Sequence, residues 1–469
     1  MDPDRAKRRQ SLKVIISETI MFVSVVVTVI ILAFLVSGYW INSDFKVERQ
    51  GLLQISSMPT GAEVDIDGDS SWFQRTNTSK VLSSGEHTVT LTKDGYDSWS
   101  KTINISEGLL YRIHYPRLFL QDTVAKQALD IAGATRTSFS PDGSQLLLLD
   151  NSLSWQLINL ENTELEPTAI DISGLFPDMV DRDSSDSASL NILSLDWDQD
   201  NRHILVSAQL GDATEWVLLD VHDTDRSINL TTEFKEHFSE VQILDHSANN
   251  LLAVIDNSLY KIDVSGRMLS PALVQNVTFF NHYDTNEIIF SASNTQPGGQ
   301  PSYYVGILKP NNDEIVKVLD TSSPVHAVIS KFYDDKYITI LQGNLLTLYK
   351  YQDFEKISDY ELTFLPDEIK VGHNGEFITA HSGNRIATLD METESVTEWA
   401  TDSANFGWID NDMIYAINEA GEVVVYDFDG LNRRTIARSA SAVFPAKITS
   451  DKWLYFFSDN KLMRQVIAD

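Results

Sequence analysis

Apolar and polar positions divide the chain into one long uncharged run followed by many short alternating runs. Residues 19–43 carry no charge. At about 1.5 Å per residue, the twenty or so apolar residues in this run are enough to cross the hydrocarbon core of a membrane as a helix. From residue 50 onward, short alternating runs are separated by Gly, Pro, Asn and Asp, which is typical of antiparallel strands. The pattern predicts an all-β protein behind one N-terminal transmembrane helix.

The residues that flank the apolar run predict its orientation. Arg8 and Arg9 belong to a basic stretch before the run, and Tyr39 and Trp40 lie where interfacial aromatic residues gather. Because basic flanks stay on the cytoplasmic side, we expect a single-pass protein of the cell membrane with a cytoplasmic N-terminus and an extracytoplasmic bulk. The alternative is a cleaved signal peptide with its cleavage site at residues 36–38.

Changes in pattern along the chain predict five segments. They are a cytoplasmic basic tail (1–18), a transmembrane signal-anchor helix (19–41), a linker (42–49), a small β-domain (50–118) and a larger β-domain (119–469).

The small β-domain contains four turn motifs in a fixed order. Proline fixes φ, glycine supplies a positive φ, and Asp-Gly pairs favour hairpins. The motif residues are Pro59, Gly61, Ala62, Gly68, Gly85, Gly95 and Tyr96. The segments SSMPTGAEVDIDG, SSGEHTVTLTKDGYDSW and KTINISEG, which carry them, resemble the PEGA domain. The resemblance implies a small extracytoplasmic β-sandwich that binds surface polymers or acts as a spacer.

This sequence departs from the PEGA pattern in two places. Thr60 replaces the glutamate of the family name, and residues 71–74 replace a Gly-x-Thr-Pro segment. We therefore expect residues 71–74 to form an irregular loop, in which Trp72 is a candidate ligand contact. Trp99 lies in strand phase and is expected in the core.

The larger β-domain repeats a pair of strands eight times. The first strand of each pair begins near residues 145, 203, 250, 287, 336, 376, 412 and 452. The mean spacing of about 44 residues is typical of a four-stranded propeller blade. Since the last copy ends after three strands, residues 119–129 are expected to supply the strand that closes the ring. Eight blades are favoured, with seven as the alternative.

One turn in this region carries a second resemblance. Ser140-Pro141-Asp142-Gly143, followed by QLLLLD and a second strand, resembles TolB-like and WD-repeat-like propellers. The resemblance implies a propeller fold and leaves the function open.

Composition narrows the choice of partners. The formal net charge is −31, which disfavours nucleic acid as a partner. The sequence has no cysteine, which excludes disulfides, thiolate metal sites and cysteine nucleophiles.

Sequence motifs give no catalytic residue, cofactor or metal site. No His-Glu-x-x-His, P-loop, dinucleotide fingerprint or Gly-x-Ser-x-Gly elbow is present. Asp65, Asp67 and Asp69 have the alternate spacing of a calcium loop, as do residues 196, 198 and 200, but neither set has the later glutamate. Turn roles are favoured for both sets, and calcium stays an alternative. The long connection at residues 171–189 is interpreted either as disordered or as a functional loop.

These observations predict a membrane-anchored binding or scaffolding protein of the cell envelope rather than an enzyme. The expected partners are the membrane and cell-wall polymer or envelope proteins, contacted through the propeller's channel mouth and the 171–189 connection. The alternative is an extracellular propeller hydrolase or lyase acting on peptide or glycan, and a third possibility is a sensor that signals through its basic tail. An enzyme needs carboxylates or a Ser/His pair converging at the channel mouth. If the chain is a binding protein, we expect the channel mouth to have a polar rim with exposed aromatic residues and no cluster of titratable groups with perturbed pKa values.

Overall fold

The computed structural model divides the chain into two units, residues 1–121 and 122–469. The structure describes residues 18–30, 39–41, 47–150, 154–162, 164–176, 190–211, 213–294, 301–310, 314–372, 375–410 and 412–468. Strands dominate both units, as the alternating pattern predicts.

Two four-stranded sheets make up the first unit. In one sheet, β2 lies between β5 on one edge and β1 and β8 on the other. The second sheet has the order β4-β3-β6-β7. The strands are β1 (Tyr39–Ile41), β2 (Val47–Ile55), β3 (Glu63–Ile66), β4 (Asp69–Arg75), β5 (Thr78–Ser83), β6 (Gly85–Thr92), β7 (Trp99–Ile105) and β8 (Leu110–Ile113).

The two sheets pack against each other through alternate residues of their strands. Leu53 and Ile55 of β2 and Leu91 of β6 are buried, whereas their neighbours along each strand are more exposed. Gly51 permits the closest approach, since a Cβ at this position would lie 2.5 Å from Cγ2 of Ile105 on β7. Trp99 is fully buried and makes an edge contact with Tyr115, so its predicted core position is confirmed.

The segment before β2 differs from the sequence prediction at residues 39–41. Residues 18–30 are helical, and no helix within the described residues has both the length and the apolarity needed to cross a membrane. Residues 39–41 form β1, which pairs with residues 47–49 of β2, where the sequence predicted the end of a helix and a linker. Tyr, Trp and Ile favour strands, and the short connection lets β1 pair with the next strand in a hairpin. Arg8 and Arg9 lie outside the described residues.

Eight four-stranded antiparallel sheets make up the second unit, which matches the number of blades expected from the repeats. Each sheet is named as a blade in chain order. Blades 1 to 4 consist of β10 (Arg136–Phe139), β11 (Gln145–Leu149), β12 (Ser154–Asn159) and β13 (Thr168–Asp171); β14 (Asn191–Trp197), β15 (His203–Leu210), β16 (Ala213–Asp220) and β17 (Ile228–Asn229); β18 (Glu240–Ile243), β19 (Asn250–Ile255), β20 (Ser258–Asp263) and β21 (Met268–Leu269); and β22 (Val277–Asp284), β23 (Glu287–Asn294), β24 (Ser302–Lys309) and β25 (Glu314–Thr321).

The other four blades follow the same strand order. They consist of β26 (His326–Phe332), β27 (Asp335–Gln342), β28 (Leu345–Lys350) and β29 (Lys356–Glu361); β30 (Glu368–Val371), β31 (Phe377–Ser382), β32 (Arg385–Asp390) and β33 (Ser395–Ala400); β34 (Phe406–Trp408), β35 (Met413–Ile417), β36 (Val423–Asp427) and β37 (Arg434–Ala437); and β38 (Lys447–Thr449), β39 (Trp453–Ser458) and β40 (Lys461–Val466), completed by β9 (Lys126–Asp130). Outside the strands, the second unit has 3₁₀ turns at Ser173–Leu175 and Thr224–Arg226 and a short helix at Leu230–Phe234.

Apolar clusters between successive blades, together with β9, close the ring. Blades 1 and 2 share one cluster, and blades 8 and 1 share another, in which Leu146 and Leu148 pack with Tyr455 and Phe457. β9 pairs with β40, so the eighth blade takes its fourth strand from the start of the unit. The second unit is therefore a closed eight-bladed propeller in which every sheet has four strands.

An ion-pair cluster joins blades 4 and 5 beside their apolar contact. Glu287, at the start of β23, accepts hydrogen bonds from the Nζ of Lys336 and, at 2.7 Å, from the hydroxyl of Tyr351. The Lys336 Nζ also lies 4.5 Å from the ring centroid of Tyr283. Burial and the adjacent Glu287 carboxylate raise the pKa of Tyr351 well above its ordinary value, so its hydroxyl stays protonated and donates. We call Glu287, Lys336, Tyr351 and Tyr283 the blade 4–5 cluster.

Carboxylates fix the ends of blade 2. Asp198, in the turn after β14, is buried and accepts hydrogen bonds from the backbone N–H groups of Arg202 and His203 and from the His203 ring at 2.7 Å. Asp220, at the end of β16, accepts two hydrogen bonds from the Arg202 guanidinium and one from the N–H of His222. Asp198 therefore has the turn role that the sequence favoured for the 196–200 set, whereas Asp196 lies on strand β14 rather than in the turn.

The lowered pKa of Asp220 leads us to expect that the fold loses stability in acid. Burial opposes its ionisation, but the hydrogen bonds from Arg202 and His222 outweigh burial and lower its pKa. A carboxyl with a lowered folded-state pKa stabilises the fold above its unfolded pKa of about 3.9, and this contribution is lost as pH falls through the folded-state pKa. We expect Asp220→Asn to cost about 1–2 kcal/mol at pH 7, because Arg202 is partly solvated, and this cost to shrink below about pH 4. Urea unfolding of both proteins from pH 7 to pH 2 measures the difference, and a pH-independent difference would contradict the assignment.

Candidate functional site

The first strand of each blade lines the axis of the propeller. Neighbouring first strands contact one another, as β22 contacts β26 and β26 contacts β30. Side chains on the axial face of these strands point away from the apolar clusters between blades, so polar and charged residues are tolerated there. This arrangement brings residues that are far apart in sequence to a common channel.

Two adjoining cavities open at the end of the channel where the first strands finish. The first has a volume of about 680 Å³ and is lined by blades 2, 3 and 4, and the second has about 780 Å³ and is lined mainly by blades 4 to 7. Gln199, Asn281, His282 and Tyr283 line both cavities. Each volume lies in the range that holds a small organic ligand. We call the two cavities together the channel mouth.

Two carboxylates mark the side of the channel mouth formed by blades 2 and 3. Asp196 on β14 and Glu240 on β18 keep contact with solvent while protein surrounds them. This confinement raises the pKa of both carboxyls, against a lowering influence of Ser194 on Asp196 and of Gln242 on Glu240. The Gln242 amide donates to Oε1 of Glu240 at 2.7 Å. Both carboxylates are exposed to solvent in the cavity, where they can accept hydrogen bonds from a cation or a neutral donor.

Two lysines mark the opposite side. Lys331 lies on β26 and Lys370 on β30, and both side chains are exposed at the second cavity. Lys370 pairs with Glu368 at 2.9 Å and also lowers the pKa of Asp196 through space. Blades 2 and 6 are four positions apart in a ring of eight, so Lys370 and Asp196 face each other across the axis.

Between the two sides lies a histidine with unused hydrogen-bonding capacity. Burial lowers the pKa of His282, against a raising influence of Asp284, so the ring is neutral at pH 7. Its Nδ1 has no hydrogen-bond partner among the described residues. A buried polar atom without a partner is costly, so rotation of the His282 ring that brings Nδ1 to a ligand in the cavity would remove this cost.

Aromatic side chains complete the rim of the channel mouth. Tyr333, which is 56% exposed, and the half-buried Trp408 lie at the second cavity. The rim thus has the polar and aromatic character that a binding protein needs. An enzyme is instead expected to have titratable groups with perturbed pKa values at this place, and the raised pKa values of Asp196 and Glu240 agree with that expectation.

The sequence predicted the channel mouth as a contact surface but did not select its residues. Asp196 was noticed only for its spacing from residues 198 and 200, and Glu240, Lys331 and Lys370 stand in short strands without a motif. The predicted contact loop begins at Asp171, the last residue of β13, and its residues 177–189 lie outside those described.

The turn residues of the first unit take the conformations that their types predict. Gly61, Gly68, Gly85 and Gly95 all have positive φ. The backbone N–H groups of Gly61 and Ala62 donate to Oγ1 of Thr76, which fixes the turn that starts at Pro59. Ala62 and Tyr96 are buried, so these two motif residues belong to the core of the unit.

This ordered set of turns coincides with a family match. Residues 50–116 match the model of the PEGA domain. The first unit contains a PEGA domain. Within it, Asp65 accepts from the N–H of Gly68 at 2.8 Å, and Asp67 accepts from the N–H of Thr88 and bonds His87 at 2.6 Å, so both carboxylates support a hairpin.

One part of the PEGA domain differs from the sequence prediction. Residues 71–74 were expected to form an irregular loop, but they lie within strand β4. The pairs of β4 with β3 involve residues 69, 70 and 75, and the register shifts between Glu63 and Asp65, so residues 71–74 span an irregular part of this strand. The Asp-Gly hairpin accounts for the paired residues 69 and 70, which lie directly after it. The side chain of Trp72, the candidate ligand contact, lies outside the described residues, as do the side chains of Tyr39 and Trp40.

Comparisons with solved structures give low sequence identities and TM-scores below 0.5. No curated protein sequence matches the chain. The C-terminal WD40 domain of Sif2 is 10% identical with a TM-score of 0.48, and the match covers 74% of this chain and 99% of that one. An oligogalacturonate lyase in complex with manganese is 12% identical with a TM-score of 0.39, covering 61% and 95%. The oligogalacturonate lyase from Vibrio parahaemolyticus is 10% identical with a TM-score of 0.38, again covering 61% and 95%.

Proposed function

We propose that the chain is an extracytoplasmic binding or scaffolding protein of the cell envelope, held at the membrane by its N-terminal apolar run. The PEGA domain and the basic flank of the apolar run support this location. The channel mouth is the observation that carries the binding function, since it joins two ligand-sized cavities with a polar rim and aromatic side chains. Cell-wall polymer or an envelope protein is the proposed partner.

Trp408 provides the test of this function. Stacking and apolar contacts of aromatic side chains contribute much of the binding energy in such sites, so Trp408→Ala is expected to weaken retention of envelope material at least tenfold. Full-length protein immobilised in detergent is incubated with purified cell wall and with envelope extract, and bound material is quantified. Trp399→Phe, a conservative aromatic change on the outer strand β33, is the matched control and should retain wild-type binding. Equal retention by wild type and Trp408→Ala would contradict the proposed role of the channel mouth.

A hydrolase or lyase acting on peptide or glycan is the second candidate. It is favoured by one observation, the raised pKa of two carboxyls that line the same cavity, because a general acid near neutral pH needs such a shift. Incubation of the same protein with peptide and glycan panels distinguishes the candidates. Turnover that falls at least 100-fold in both Asp196→Asn and Glu240→Gln would replace the binding function by the enzymatic one.

A further inference from the structure

Opposite charges are segregated across the channel mouth. Asp196 and Glu240 stand on blades 2 and 3, whereas Lys331 and Lys370 stand on blades 5 and 6. Among the described residues no ion pair joins the two sides, but Lys370 is paired at 2.9 Å with Glu368 on its own strand, so part of the positive charge on that side is already balanced. A ligand with one charge would be attracted by one side and repelled by the other.

The middle of the channel mouth suits a backbone rather than a simple ion. His282 and Asn281 line both cavities, between the acidic and the basic sides. The Nδ1 of His282 lacks a partner among the described residues, and the Asn281 amide can both donate and accept. Peptide N–H and C=O groups need such partners when they leave water.

We propose that the channel mouth binds a short zwitterionic peptide, with its amino group toward Asp196 and Glu240 and its carboxylate toward Lys370 and Lys331. This inference rests on the proposed binding function and specifies the ligand class of that same site. The opposition of Asp196 and Lys370 across the axis sets the direction of the peptide, and the imidazole of His282 meets its backbone. Tyr333 and Trp408 cover the carboxylate end.

Four end-variants of one peptide test the inference by isothermal titration calorimetry with the full-length chain. They are tetra-alanine with free ends, N-acetyl-tetra-alanine, tetra-alanine amide, and N-acetyl-tetra-alanine amide. We expect the free-ended peptide to bind at least tenfold more tightly than either singly blocked peptide, and the doubly blocked one to bind most weakly. Equal dissociation constants for all four, or no binding of the free-ended peptide at millimolar concentration, would overturn the proposal.

Two charge-removing variants test which side of the channel mouth binds the amino group of the peptide and which binds its carboxylate. In Asp196→Asn, the preference for a free amino group over an acetylated one should disappear, while the preference for a free carboxylate remains. In Lys370→Gln, the reverse is expected. Asp320→Asn and Lys317→Gln remove the two partners of an exposed ion pair on the outer strand β25 and serve as matched controls. Variants of Asp196 and Lys370 that keep both preferences would overturn the assignment.

Retention of envelope material by the same protein distinguishes a failure of the zwitterionic-peptide proposal from a failure of the proposed binding function. If retention depends on Trp408 but the four peptides show no charge preference, the zwitterion inference fails and the binding function stands. If neither retention nor peptide binding depends on channel-mouth residues, both fail.

Discussion

Gly375→Ala is expected to destabilise the propeller by about 3 kcal/mol or more, from left-handed backbone strain together with overpacking. Gly375 has a φ of +74°, which side chains other than glycine rarely adopt. An added Cβ would also overlap the carbonyl oxygen of Lys331 and lie 3.2 Å from its carbonyl carbon. Because the obstacle is backbone of the neighbouring blade, it cannot be relieved by rotating a side chain.

Gly383→Ala separates the two causes. Gly383 also has a positive φ, of +57°, but nothing lies within 4 Å of an added Cβ. The control should therefore cost only the backbone strain, about 1 kcal/mol. Urea unfolding followed by tryptophan fluorescence measures both variants, and equal losses would show that the approach to Lys331 is unimportant. Lys331 and Gly375 both line the channel mouth, so Gly375→Ala should weaken ligand binding as well.

Removing Glu287 is expected to produce the second large effect, a loss of about 2–3 kcal/mol in the free energy of unfolding at pH 7. Glu287→Ala leaves the Lys336 ammonium without its carboxylate and the Tyr351 hydroxyl without its acceptor. The side chains of Glu287 and Lys336 are only 15% and 28% exposed, so water replaces these interactions incompletely. The cost falls on the junction between blades 4 and 5.

Matched variants show whether the effect belongs to the blade 4–5 cluster. Tyr351→Phe removes one hydrogen bond and should cost about 1 kcal/mol. Asp320→Ala breaks an exposed ion pair with Lys317 and should cost less than about 1 kcal/mol. A double-mutant cycle of Glu287→Ala with Lys336→Met measures the coupling directly. If the single-mutant losses are additive, or if the Glu287→Ala protein is as stable as the Asp320→Ala control, the blade 4–5 cluster does not contribute to stability as predicted.

The apolar strands of the propeller could be predicted because their sequence pattern repeats. β19, for example, follows a polar turn and buries five consecutive residues from Leu251 to Ile255, and the same order recurs around the ring. The strands that line the channel could not be found in this way. β14 and β18 mix polar and apolar residues, because part of each strand meets solvent in the channel, so they lack the continuous apolar run of strands such as β19.

The candidate site was harder to predict than the fold for a geometric reason. Asp196 and Lys370 are unremarkable in sequence, and their opposition follows only from an eight-bladed ring that places blades 2 and 6 across from each other. One local error has a similar origin. Residues 39–41 carry a weak pattern of their own, and they form a strand because β2 offers them a pairing edge.

The pairing of β9 with β40 determines when this propeller can finish folding. A ribosome makes β9 long before β40, because about 330 residues separate the two strands. Until then β9 has no partner, and the growing array of blades presents an open edge at which incorrect strand pairing can begin. Blades 1 to 7 can assemble in order during synthesis, but the ring locks only after the last strand has emerged. A destabilising change in β40 therefore affects the first strand of the propeller as much as the last.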